Sequence, residues 1–337
     1  MTSPTPRPAR RRGPREHALS TTLLTLVAPV LVLAVGVAVA LSWRDALPDP
    51  VAVHWGADGA DGFAPLTSFV AVLAGSAVPL HVGAWLLALL RGQAASTRRA
   101  ATGMSTWFAA FLVAVMLGSL AGQRGLTSPD DAPDVGGTIA LALALATGAA
   151  IVSALLVPRD RPLPATAAVP TEAARLAMGP DERVAWFRTV TARGGITVGA
   201  TAVLGTAVLA VLSRSPWLLT VPAALVVLFL AMFRWDVRVD TDGLSVRSVL
   251  GLPRTVVPLS EVEQASVTHV DPLRDFGGWG WRTGTDGAVG IVLGKGEALQ
   301  VEQTGGRVLV VTTPDAASAA ALLNSLASRG RGTPDDG

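Results

Sequence analysis

Six stretches of this chain carry no Asp, Glu, Lys or Arg over a length that suits a lipid hydrocarbon layer: residues 19–41, 68–90, 103–121, 137–157, 196–212 and 216–233. A bilayer core about 30 Å thick needs roughly 20 apolar residues in helical form. A helix on the surface of a water-soluble domain interrupts its apolar stripe with charge at every turn or two. Composition agrees: half of the residues are hydrophobic and only 15% are charged, against about 25% in soluble domains. The pattern predicts a membrane α-helical bundle of about six transmembrane helices. Ser213, Arg214 and Ser215 join the last two as an αα-hairpin.

Arginine placement sets the expected orientation, because cytoplasmic connections retain Lys and Arg. Arg7, Arg10, Arg11, Arg12 and Arg15 precede the first span; Arg91, Arg98 and Arg99 follow the second; Arg159, Arg161, Arg175, Arg183, Arg188 and Arg193 follow the fourth. The alternate connections hold only Arg44, Arg124 and Arg214. Both termini are therefore expected in the cytoplasm of a multi-pass protein of the cell membrane. Trp43 and Trp217 at outer helix ends and Trp235 at an inner end read as interfacial anchors. A cleaved signal peptide is the competing reading of the first stretch, but its apolar run exceeds the usual 7–15 residues.

After the last span the period changes from helical to alternating. Trp235, Val237 and Val239 alternate with Asp236, Arg238 and Asp240. Asp242-Gly243 reads as a two-residue type I′ turn, with Leu244 and Val246 starting the return strand. Further strands are expected over 254–258, 262–269, 288–293, 299–303 and 307–312, with Gly305-Gly306 as another turn. Thr313-Pro314-Asp315 reads as a helix start. That helix would bury Ala319, Leu322, Leu323 and Leu326 and stop before Gly330. About seven strands and one helix imply a small cytosolic β-barrel or sandwich capped by the C-terminal helix.

The expected organisation is a disordered basic tail (1–18), a first helix pair (19–90) with a loop domain at 43–67, and a second pair (103–157). A Pro-rich linker and membrane approach (158–195) follows, with a short helix at 171–178. A third pair (196–233), the β region (234–329) and a disordered polar tail (330–337) complete the chain.

Several function classes find no support. The absence of cysteine excludes disulfides and thiolate chemistry. A net charge of +2 with no basic surface established gives no case for nucleic acid. Gly294-Lys295-Gly296 lacks the spacing of a phosphate loop. No Ser/His/Asp trio or carboxylate pair can be assigned. The chain reads as a non-enzyme without cofactors.

Two regions resemble known families. Residues 47–62 contain Leu47-Pro48, His54-Trp55, Gly59 and Asp61. This resembles the extracytoplasmic segment of SdpI-like bacterial membrane proteins, a segment also known as domain of unknown function sixteen-forty-eight. Pro48, His54, Trp55, Gly59 and Asp61 match that pattern, while Ala52 stands where a second proline is usual. Residues 179–327 are similar to a bacterial pleckstrin-homology-like (PH-like) domain fused to a membrane hairpin. The similarity rests on Asp181-Glu182-Arg183-Val184-Ala185-Trp186, on Val257-Pro258-Leu259-Ser260-Glu261-Val262 and on residues 276–282. The SdpI-like family includes a toxin-sensing immunity protein, which implies sensing or immunity as roles, although no copy of that protein's remaining transmembrane half is evident.

Four features are candidate sites. His54, Asp58 and Asp61 lie within eight residues and would suit a divalent metal or a titrating cap. The blander reading is a compact turn, with Gly56, Gly59 and Gly62 in left-handed bends and His54 and Asp61 serving backbone groups. His81 lies mid-span, two residues after Pro79. A polar side chain there is either functional or a partner for the kink that Pro79 makes at the Gly75 carbonyl. Gly195 and Gly199 have the Gly-x-x-x-Gly spacing of close helix packing and suggest a homodimer. Phe276, Trp279, Trp281 and Arg282 would contact a partner or the inner leaflet, or fill the β-region core. Together these features imply a sensor or regulatory scaffold bound to the lipid bilayer, with a protein partner on the β region. A transporter or immunity-type protein is the alternative, and a metal-dependent envelope hydrolase ranks below both.

Overall fold

The computed structural model describes residues 17–56, 58–179 and 182–332. Residues 1–16 of the expected basic tail, Ala57, Pro180, Asp181 and the last five residues lie outside the described residues, while Ala18 already belongs to the first helix. All six uncharged stretches form helices long and apolar enough to cross a membrane. The first joins α1 (Ala18–Thr22), a π-helical turn (Leu23–Val27) and α2 (Ala28–Ser42). The others are α3 (Leu66–Arg91), α4 (Ala95–Ala121), α5 (Gly136–Leu156), α6 (Arg193–Leu212) and a 3₁₀ turn (Pro216–Leu219) leading into α7 (Thr220–Phe233). Between 6% and 28% of each apolar window is buried against protein. Exposed apolar surface on that scale calls for lipid.

The chain divides into two compact units. The first comprises His17–Asp160 and Gly199–Val227. Its centre is α4, which packs on α2, α3 and α5. Gly36 leaves room on α2 for Val113 of α4, where a Cβ would come within 2.7 Å. The helix begins eight residues before the expected position and so takes in Arg98 and Arg99, which sequence placed in a loop. Arg98 is buried. Its guanidinium donates to the Gly92 and Pro158 carbonyls and pairs with Asp160 at 3.0 Å. Asp160 also accepts from the Ala95 amide at 2.8 Å, placing a carboxylate at the positive end of the α4 dipole.

Between α2 and α3 the chain forms a hairpin of β1 (Val51–Gly56) and β2 (Gly59–Ala64). Val51 joins Ala40, Leu66, Val70, Met116 and Leu120 in a buried cluster. Gln123, just past α4 and fully buried, accepts from the Ala52 amide at 2.7 Å and donates to the Ala52 carbonyl at 3.0 Å. One side-chain amide thus stands in for a neighbouring strand.

The second unit comprises Arg161–Val198 and the chain from Leu228. One sheet has the antiparallel order β3-β4-β5-β6, from β3 (Trp186–Thr191), β4 (Arg234–Asp240), β5 (Gly243–Ser248) and β6 (Arg254–Pro258). The other has the order β7-β10-β11-β9-β8, from β7 (Val262–Val270), β8 (Gly280–Thr283), β9 (Val289–Val292), β10 (Gly296–Gln303) and β11 (Arg307–Thr312). Strands β9 and β11 run parallel. The short helix α8 (Pro272–Phe276) precedes β8, and α9 (Ala316–Gly332) packs against strands of both sheets. The sheets remain two and do not close into a barrel. The expected core face of α9 is confirmed: Ala319, Leu322, Leu323 and Leu326 are buried.

Several local expectations are corrected. The segment expected as linker, 158–195, contributes β3, which pairs with β4. Residues 171–178 form no helix, because α9 side chains supply their hydrogen bonds: Asn324 donates to the Ala174 carbonyl, Ser325 bonds both backbone groups of Leu176, and Arg329 donates to Met178. The turn at Asp242 is not type I′: Thr241 and Asp242 form the loop, and the positive φ falls on Gly243 at 118°. Helix α9 starts at Ala316, after Asp315 at φ 62°, and runs past Gly330. Trp235 is no interfacial anchor. It is fully buried, donates to the Met232 carbonyl at 2.8 Å and lies 5.6 Å from Trp281.

Asn324 repeats the device of Gln123. It accepts from the Ala265 amide at 2.8 Å and donates to the Ala265 carbonyl at 2.9 Å, closing the free edge of β7. Replacing either amide with leucine strands two buried backbone groups, at about 1–3 kcal/mol for each group. Gln123→Leu and Asn324→Leu should each lower the midpoint of thermal unfolding in detergent, and each should speed amide exchange at the strand it serves.

Asp315 ties α9 to β3. Hydrogen bonds from the Ser318 hydroxyl and then the Trp186 indole hold its carboxyl below the ordinary carboxylate range. A depressed carboxyl contributes stability above its unfolded pKa and loses it as pH falls through the folded one. Asp315→Asn should therefore reduce the drop in unfolding midpoint between about pH 5 and pH 2, followed by tryptophan fluorescence.

Candidate functional site: a polar cluster among the first three apolar helices

Helices α1–α4 place five polar side chains where their sequence surroundings are apolar. Thr25, His81, Thr102 and Ser105 are all buried, and Trp85 lies beside them at one turn's distance from His81. The origin of the cluster is Pro29. A helix carbonyl is normally bonded by the amide four residues on, and Pro29 has no N–H to offer Thr25. The π-helical turn over Leu23–Val27 sits at this point. Ser105 from α4 donates its hydroxyl to the Thr25 carbonyl at 2.7 Å. Thr25 and Thr102 share a hydroxyl hydrogen bond of 2.7 Å. The Trp85 indole donates to Thr22 at 3.0 Å.

Donor counting then fixes the histidine. Ser105 has one hydroxyl hydrogen, and the Thr25 carbonyl takes it. The 2.8 Å contact between His81 Nδ1 and Ser105 Oγ is therefore donated by the ring. In a neutral imidazole this leaves Nε2 as a bare acceptor, and Nε2 is buried with no hydrogen-bond partner. His81 is thus not the partner of the Pro79 kink. The proline whose lost hydrogen bond matters here is Pro29, and the group that answers it is Ser105.

The other sequence candidates are placed as follows. His54 Nδ1 and Asp61 Oδ1 lie 2.5 Å apart across the hairpin, on side chains 71% and 54% exposed. Among the described residues they bond each other and not the backbone. Such exposed pairs contribute about 0–1 kcal/mol. Gly62 faces His54, where a Cβ would come within 2.7 Å of it, and only Gly59 of the three glycines has a positive φ, 120°. Asp58 is exposed in the turn. Among the described residues no three His, Cys, Asp or Glu side chains are grouped to hold a metal. Pro48 is buried, and the Trp55 indole nitrogen is buried without a partner.

In the β region Phe276 packs into the cluster of Val270, Ala288, Val292, Ala298 and Val310, and Trp281 lies against Trp235. Arg282 donates to the Trp279 carbonyl at 3.0 Å. Gly195 faces Phe233 of its own chain, where a Cβ would come within 2.7 Å of the ring.

Compared with family models, with curated proteins and with solved structures, the chain matches none.

Ser105→Ala would leave the Thr25 carbonyl and the His81 Nδ1–H both unsatisfied. The expected loss is about 1–3 kcal/mol or more, read as a lower unfolding midpoint in detergent. Ser153→Ala serves as control, since that hydroxyl bonds only the Ala150 carbonyl of its own helix, and should leave the midpoint unchanged.

Proposed function

We propose that this chain is a non-enzymatic sensor or regulatory scaffold of a bacterial cell membrane, with an extracytoplasmic hairpin coupled to a cytosolic PH-like region. The observation that carries this reading is the bonding of α4 along its length. Gln123 beyond one end grips hairpin strand β1. Ser105 and Thr102 near the middle grip the first helix. Arg98 and the amide of Ala95 at the other end grip Asp160, where the chain leaves for the β region. A displacement of the hairpin therefore acts on one rigid rod. The arginine alternation supports the sidedness. The C-terminal helix packed on strands of both sheets supports the PH-like reading, although the sheets do not close into its barrel.

The test uses the absence of cysteine in the chain. In intact cells, Asp58→Cys should react with a membrane-impermeant thiol reagent, and Asp242→Cys should react only after lysis. Equal reactivity of the two overturns the sidedness. Gln123→Leu should change amide exchange around Ser105 and Arg98 as well as in β1. A change confined to β1 rejects α4 as the coupling element.

A second reading, in which the bundle itself acts as a transporter or immunity-type protein, is favoured by the unpartnered Nε2 of His81. His81→Ala with unaltered transport and toxin resistance would remove it.

A further inference from the structure

Strands β3 and β4 grow directly out of helices α6 and α7. Arg234, the first residue of β4, follows Phe233, the last of α7, and the Ala192 amide donates to the Phe233 carbonyl at 2.9 Å. Thr191 pairs with Arg234. One end of the four-stranded sheet is therefore fixed beside the end of the apolar helix pair. Register carries that placement outward. Trp235 pairs with Ser248, Arg247 pairs with Arg254, and the Val249 amide donates to the Arg234 carbonyl at 3.0 Å. The β5–β6 connection, residues 249–253, thus lies one strand spacing, about 5 Å, from the backbone that ends α7.

That connection has the wrong chemistry for water. It reads Val-Leu-Gly-Leu-Pro, with Gly251 making the bend at φ 82°. Leu252 is 69% exposed, and Val249 and Leu250 are close to half exposed. Surface turns ordinarily use polar residues. Arg234, Arg247 and Arg254 surround this end on the outer face. Arg247 reaches Asp236 only at 3.7 Å, and no ion pair involves Arg234 or Arg254 among the described residues. The opposite end of the same sheet carries Asp240 and Asp242. Asp240 is paired with Arg238 at 2.6 Å, so it is the exposed apolar loop with its three arginines that sets the first end apart.

We propose that the β5–β6 loop inserts Leu250 and Leu252 into the headgroup layer beside α7, with Arg234, Arg247 and Arg254 on lipid phosphates. The polar layer on each side of the hydrocarbon core is about 5–8 Å deep, and the loop lies at the end of the sheet where β4 follows directly on α7. Basic residues at this level bind an anionic leaflet. This surface differs from residues 276–282, whose Phe276 and Trp281 are engaged inside the β region. The inference rests on the reading that α6 and α7 cross the bilayer.

The experiment labels single cysteines with a polarity-sensitive fluorophore in the full chain, reconstituted in vesicles of phosphatidylcholine and phosphatidylglycerol. Positions are Leu250→Cys and Leu252→Cys in the loop, Thr241→Cys at the opposite end and Leu209→Cys on the exposed face of α6. Spin-labelled lipid should quench the loop and α6 labels several-fold more than the Thr241 label, and aqueous iodide should show the reverse order. Joint Arg247→Ala and Arg254→Ala substitution should weaken lipid quenching at Leu252. Loop labels that behave like Thr241 while Leu209 is quenched by lipid overturn the insertion and leave the crossing intact. Loss of lipid quenching at Leu209 takes down both. Unchanged quenching in the double arginine variant overturns the phosphate contacts.

Discussion

Both units depend on a constraint that comes from the backbone: an amide or carbonyl removed from water must find a partner. Helices satisfy it internally, which is why long uncharged sequence can exist at all in an apolar setting. Strands do not, and their edges are where the constraint bites. Gln123 and Asn324 each answer it at a single alanine, Ala52 and Ala265, bonding its amide and its carbonyl at once. Both alanines are buried. The hairpin is held to its helices this way, and β7 to α9.

The same constraint explains the interior of the helix bundle. Pro29 removes one donor from the first helix, and the cluster of Thr25, Ser105 and His81 follows from it. The chain of bonds runs carbonyl, hydroxyl, imidazole, and ends on a nitrogen with nothing beyond it. A buried acceptor without a donor is destabilising by about 1–3 kcal/mol. This nitrogen lies among the buried polar side chains of Thr25, Thr102 and Ser105.

The helices are legible in the sequence because their signal is the absence of charge, which any window displays. Most of the strands from β4 onward are legible because Trp235, Val237 and Val239 turn inward on alternate positions. Strand β3 is not, since Phe187 points outward at 73% exposure and breaks the expected pattern. The polar contacts are hidden by separation: Gln123 meets Ala52 from 71 residues away, and Ser105 meets Thr25 from 80. Pro29 is the visible clue to the second. Trp235 reads as an anchor because a tryptophan next to an apolar helix looks the same in sequence whether it faces headgroups or a protein core.

The bond from the Ala192 amide to the Phe233 carbonyl ties the residue before α6 to the last residue of α7, at the point where the chain passes into β4. That bond and the pairing of Thr191 with Arg234 bring the two connections together, so β3 and β4 begin from a common point rather than from two independent ones.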